Sequence, residues 1–122
     1  MILIVLRGIP GIGKTTLANK IAENYQDSII ISNDLIRKKS GVYNYDLQEN
    51  KKIYRESNKL LLHSFINKKE CIIVDNCNIS INVLNRYKLL AKKYKYYYLQ
   101  LAFEKPNIED INDIFARNKN NI

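Results

Sequence analysis

The nine residues GIPGIGKTT, Gly8–Thr16, constrain this chain more than any other feature, because they follow directly on the apolar run ILIVL, Ile2–Leu6. Gly8, Gly13, Lys14 and Thr15 fit the spacing Gly, any four residues, Gly-Lys-Ser/Thr that wraps the phosphates of a nucleotide. A glycine-rich turn lets backbone N–H groups point into a concavity, and a helix N-terminus behind it adds partial positive charge, so an anion is held there. The motif needs a buried strand before it and a helix after it. Both are legible. Ile2–Leu6 is short, β-branched and apolar, as a strand of a parallel sheet is. From Lys14 onward Leu17, Ile21 and Tyr25 fall four apart with Ala18 and Ala22 beside them, one apolar face of a helix. In such a site Lys14 reaches the β- and γ-phosphates and the Thr15 hydroxyl ligates Mg2+. Binding of ATP or GTP is therefore the first expectation.

The rest of the chain repeats the alternation. SIIIS, Ser28–Ser32, and ECIIVD, Glu70–Asp75, read as a second and a third strand. Between them a long helix starts at Leu47, with Leu47, Tyr54, Leu61 and Phe65 predicted on its apolar side, entered through the loop SGVYNYD. Leu84, Tyr87, Ala91 and Tyr94 predict another helix, with Ser80 as its N-cap. Tyr96–Phe103 reads as the fourth strand. After Pro106, residues Ile108, Ile111 and Phe115 share one face of a last helix. Alternating strands and helices imply an α/β fold with a mostly parallel sheet of about four strands, whose ligands sit beyond the carboxyl ends of the strands.

Composition narrows the setting. A chain of 122 residues is one domain by length, and its 46% hydrophobic and 26% charged residues are those of an ordinary globular protein. No apolar run approaches the roughly 20 residues that cross a bilayer, and the apolar start is too short for a signal peptide, so an intracellular, cytoplasmic setting without membrane partners is expected. Cys71 and Cys77 with the single His63 make neither a zinc site nor a disulfide framework, and both are read as reduced thiols. His63, alone on a helix, reads as a packing or surface residue. The formal charge of +8 and pI near 9.5 suit a polyanionic partner such as nucleic acid, and suit equally a solvated surface of a chain rich in Lys, Asn, Ile and Tyr.

Two further positions carry chemistry. Asp75 closes the third strand, where a carboxylate beside the phosphate loop holds the magnesium ion or its water; it can also merely open a turn. At the tip of the second strand, SNDLIRKK sets Asp34 and Arg37 three apart on one side of a helical turn. A carboxylate there can accept the proton of an acceptor hydroxyl while the Arg grips acceptor or phosphate anions. Alternatively Asn33 or Asp34 caps that helix, a role compatible with catalysis.

Taken together, GIPGIGKTTLA, ISNDLIR, IIVDNCNI and IFARN resemble the kinase domain of the phage-type 5′-hydroxyl polynucleotide kinases and related small kinases, in order and over nearly the whole chain. The resemblance implies a three-layer, adenylate-kinase-like fold and transfer of the ATP γ-phosphate to a hydroxyl, foremost a polynucleotide 5′ end. It implies Asp34 as general base, Lys14 and Arg37 at the reacting groups, and nucleotide contacts from Gly8, Gly11, Ile12, Gly13, Lys14, Thr15, Thr16 and Arg117. It places Mg2+ at Thr15 and Asp75, and substrate at Arg37 and Asn78. One departure bears on catalysis. The family carries a second Arg four residues after the first of its Arg-Asn pair, and here that position is Asn121. A lid Arg of this kind is worth about 10³ to 10⁵ in rate. The expected domain, residues 1–122, thus lacks most of the lid and the last strand. A nucleotide-binding module without transfer activity, and a kinase of nucleosides or small metabolites, stand beside the polynucleotide reading. A basic RNA-packaging protein would leave the phosphate loop unexplained.

Overall fold

The computed structural model describes residues 1–8, 14–41, 46–76 and 79–103. Their order is β1 (Ile2–Gly8), α1 (Lys14–Glu23), β2 (Ser28–Ile31), α2 (Asn33–Ser40), α3 (Leu47–Ile66), β3 (Cys71–Asp75), α4 (Ile81–Lys93) and β4 (Tyr97–Phe103). The strands form one sheet in the order β2-β3-β1-β4, and every pairing is parallel. Parallel strands have their carboxyl ends on one side, so Gly8, Ile31 and Asp75 finish along a single edge. The predicted last helix after Pro106 lies outside the described residues.

Strand alternation divides the core into two. Leu3, Val5, Ile72 and Val74 face α3 and α4 and pack with Leu61, Phe65, Leu84, Tyr87 and Ala91. Ile4, Leu6, Cys71 and Ile73 face the other way and pack with Ala18, Leu17 and Ile21 of α1. Strands apolar on both faces belong in the centre of such a three-layer fold. Phe65 anchors the larger cluster, stacked on Tyr94 at 5.0 Å between centroids and edge-on to Tyr96 at 4.9 Å, while the Tyr96 hydroxyl donates to the Lys69 carbonyl at 2.6 Å.

The α3 face differs from the one read from sequence. Leu61 and Phe65 are buried, but Leu47 is 70% and Tyr54 41% exposed, and Ile53, Ser57 and Ser64 take the inward positions instead. In a helix of 20 residues the apolar stripe is set by what it packs on, and α3 packs on α2 as well as on β2. Strand ends move by one residue: Ser32 leaves β2 to become the N-cap of α2, its hydroxyl accepting from Leu35 N–H at 3.4 Å. The cap is therefore neither Asn33 nor Asp34. Ser80 caps α4 as read, accepting from Val83 N–H at 3.2 Å. Gly41 ends α2 at φ 67°, a left-handed closure that glycine adopts without strain.

Cys71 is a free thiol with no exposure, and burial, aided by the Glu70 carboxylate, pushes it from 9.0 up to about 11. In a Cys77→Ser background, alkylation at pH 8 should be slow in buffer and fast in urea, because only the thiolate reacts. The native state holds this proton more tightly than the unfolded chain does, so its contribution to stability is complete below pH 9 and falls as pH rises from 9 through 11. Cys71→Ala should remove that part of the alkaline decline in urea midpoint; rapid native alkylation would show the strand start to be open.

Candidate active site

Gly8, the last residue of β1 and the first of the phosphate-loop motif, has φ 147°, a backbone region closed to L side chains. The motif's far end opens α1. There Lys14 is buried, and its Nζ lies 3.0 Å from Asp75 Oδ1, both side chains 5% exposed. The contact is one of charge on charge: Oδ1 is buried without a directed hydrogen bond and so keeps lone pairs to offer. Thr15 Oγ1 donates to the other carboxylate oxygen, Oδ2, at 3.2 Å. Three residues from two elements, β3 and the first turn of α1, thus converge at the strand ends.

A hydroxyl and a carboxylate so placed fit Mg2+, a hard cation that takes one or two protein oxygens and fills its shell with water and phosphate. The donor chemistry agrees with the nucleotide reading of the loop before it.

Beside this cluster stands the second group. The Asn33 backbone N–H, at the start of α2, donates to Asn76 Oδ1 at 2.8 Å, tying the tip of β2 to the residue after Asp75. One residue on, Asp34 is 69% exposed and accepts from Arg37 Nη1 at 3.2 Å. Arg37, only 19% exposed, also donates through Nη2 to Asn50 Oδ1 on α3 at 2.8 Å. Asp34 is therefore open to an incoming group while Arg37 is held from two sides. Asn33 Oδ1 and Glu49 Oε2 are buried with no hydrogen-bond partner among the described residues. Thr16 is exposed in the first turn of α1, and His63 is exposed on α3. Gly11, Ile12, Gly13, Asn78 and Arg117 lie outside the described residues.

Sequence reasoning missed Asn76 and Asn50. Asn76 stood in the same IIVDNCNI stretch from which Asn78 was chosen, and only its buried side chain against α2 distinguishes it. Nothing local marked Asn50, which meets Arg37 by tertiary packing of α2 on α3.

Residues 3–120 match the AAA domain family. The chain belongs to that family. It is 30% identical over 107 residues to human NEDD4-binding protein 2, covering 88% of this chain and 6% of that protein. Among solved structures, a chain of the Pnkp1/Rnl/Hen1 complex superposes with a TM-score of 0.71 at 21% identity, over 85% of this chain and 35% of that one. The Mycobacterium tuberculosis APS kinase CysC superposes with a TM-score of 0.56 at 10% identity, over 84% of this chain and 76% of that one. The chain thus spans small fractions of the first two, and the likenesses to solved structures carry the fold alone, one shared with P-loop kinases. That is the fold class read from the sequence, with the sheet fully parallel over its described strands. Among the described residues no helix is long and apolar enough to cross a membrane.

Proposed function

We propose that this domain is an ATP- or GTP-dependent phosphotransferase that moves the γ-phosphate to a hydroxyl, and that the acceptor is a polynucleotide 5′ end. The observation that carries this is the juxtaposition, through the Asn33–Asn76 hydrogen bond, of the Lys14–Thr15–Asp75 cluster with the Asp34–Arg37 pair. The first has the chemistry of a triphosphate site. The second has that of an acceptor site.

Lys14 would exchange Asp75 for the β- and γ-phosphates, and the Thr15 hydroxyl with Asp75 would hold Mg2+. Bound there, the ion neutralises charge on the phosphate oxygens. Asp34 takes the proton of the acceptor hydroxyl, and Arg37, fixed by Asn50, orients the acceptor against the phosphate. A polynucleotide is favoured over a neutral sugar by the basic surface of the chain and by the likeness to a chain of the Pnkp1/Rnl/Hen1 complex. Asn121, at the position of the family's lid Arg, favours a second reading in which nucleotide binds and transfer is absent.

The test is transfer from γ-labelled ATP to 5′-hydroxyl DNA, 5′-hydroxyl RNA and a panel of nucleosides, with MgATP binding followed in parallel. Labelled 5′ ends are expected. Label on nucleosides alone would make this a metabolite kinase, and binding without any label would establish the second reading.

A further inference from the structure

Beyond Arg37 the acceptor site continues onto α3. Asn50, Lys51, Tyr54 and Arg55 line an open cavity of about 460 Å³. Asn50, which holds Arg37, is one wall of it. The residues fall at positions i, i+1, i+4 and i+5, two adjacent rows on one face of the helix. Lys51, Tyr54 and Arg55 are exposed, and the 41% exposure of Tyr54 is that of an aromatic ring left out of the core. A third cation arrives from α4: Arg86 donates through Nη1 to the Tyr54 hydroxyl at 3.3 Å and through Nη2 to Asn58 Oδ1 at 2.8 Å. The face from Asn50 to Asn58 runs about 12 Å along the helix axis. The Glu56 carboxylate lies elsewhere, within reach of Lys59 at 3.9 Å and lining a separate cavity with Ile36, Lys39 and Leu60. Positive charge and an aromatic face are therefore arranged in line with the acceptor pair.

Resting on the polynucleotide reading above, we infer that this face of α3, completed by Arg86, binds the single strand that trails behind the acceptor end. A base stacks on the Tyr54 ring, and Lys51, Arg55 and Arg86 meet successive phosphates. Aromatic stacking with phosphate contacts is tolerant of sequence, because every base has a π-face. The strand would be gripped without being read. The Tyr54–Arg86 hydrogen bond holds the guanidinium at the edge of the ring, so the stacking surface and the third cation are positioned together.

Binding of a 3′-labelled, 5′-hydroxyl oligothymidylate to the 122-residue chain, measured by anisotropy over a range of salt, tests this without turnover. Tyr54→Ala should weaken binding about tenfold and Tyr54→Phe by less than about threefold, since the ring is what stacks. Lys51→Ala with Arg55→Ala should make log K fall less steeply with log salt by about 1.4, two phosphates at about 0.7 each. Lys20→Ala with Lys92→Ala removes the same charge from exposed positions on α1 and α4, and should change the slope little. An equal effect in that control, or equal competition by polyglutamate, would overturn the inference in favour of unspecific charge. The two proposals fail separately. Tight binding through this face with no phosphate transferred would sink the kinase reading alone, whereas transfer to 5′ ends with unchanged KM in the Tyr54→Ala and Lys51→Ala/Arg55→Ala variants would sink this surface alone.

Discussion

Asp34→Asn is expected to bind MgATP as the parent chain does and to transfer phosphate about 10²- to 10⁴-fold more slowly, the range that loss of a general base commands. The separation has a geometric origin. Asp34 stands on α2, outside the Lys14–Thr15–Asp75 cluster, and its carboxylate is 69% exposed. The start of α2 is capped by Ser32 and by Asn76, so an amide at position 34 leaves both bonds in place. What it removes from stability is an exposed pair with Arg37, worth about 0–1 kcal/mol, and some favourable charge at a helix N-terminus, about 0.3–1 kcal/mol. Arg37 keeps Asn50. A thermal shift with MgATP equal to the parent's, together with lost turnover, is the expected pair of results. Equal loss of both would make Asp34 a structural residue.

The ease with which this fold is read has a physical cause. A strand buried on both faces must be apolar without interruption, and Ile2–Leu6 and Cys71–Val74 have no other place to go than the middle of a parallel sheet. The phosphate loop then requires a helix directly after β1, and Asp75, as the first polar residue after such a run, had to emerge at the strand ends beside it. The Lys14–Asp75 and Thr15–Asp75 contacts span some sixty residues of chain and follow from the sheet order, in which β1 and β3 are neighbours and end side by side. The first turns of α3 were not legible in that way. Periodicity there offers Leu47 and Tyr54 as core, but the inward face of α3 is set by its packing on α2 and β2, and it is Ile53 rather than Leu47 or Tyr54 that falls on it. Tyr54, left partly exposed beside Arg86, is a candidate stacking platform instead. Asn76 and Asn50 were invisible for a different reason: a polar side chain that ties two elements together has no periodic signature.

The second large effect concerns the buried ion pair. Asp75→Ala deprives the Lys14 ammonium of its carboxylate in a place where both side chains are 5% exposed, and breaking a buried pair from one side costs about 3–5 kcal/mol. Lys14→Ala should also destabilise, but less, because Thr15 still donates to the carboxylate left behind. The double variant Lys14→Met/Asp75→Leu removes both charges and should recover most of the stability, since an apolar pair of similar volume often matches a buried ion pair. Nucleotide response should obey the opposite rule. On the proposed reading MgATP at a hundredfold over its Kd adds about 2.7 kcal/mol to the parent, and all three variants should lose this, the first through the proposed metal ligand and the others through the proposed phosphate-binding ammonium. Urea midpoints with and without MgATP measure both quantities in one series. Single variants as stable as the parent would show that Lys14 and Asp75 do not depend on each other. A full MgATP shift in Asp75→Ala would remove Asp75 from the metal site while leaving the ion pair intact. The expected pattern, stability restored by the double change and binding not, is the one that follows if the same two charges that pair in the folded chain also serve the proposed phosphate and metal sites.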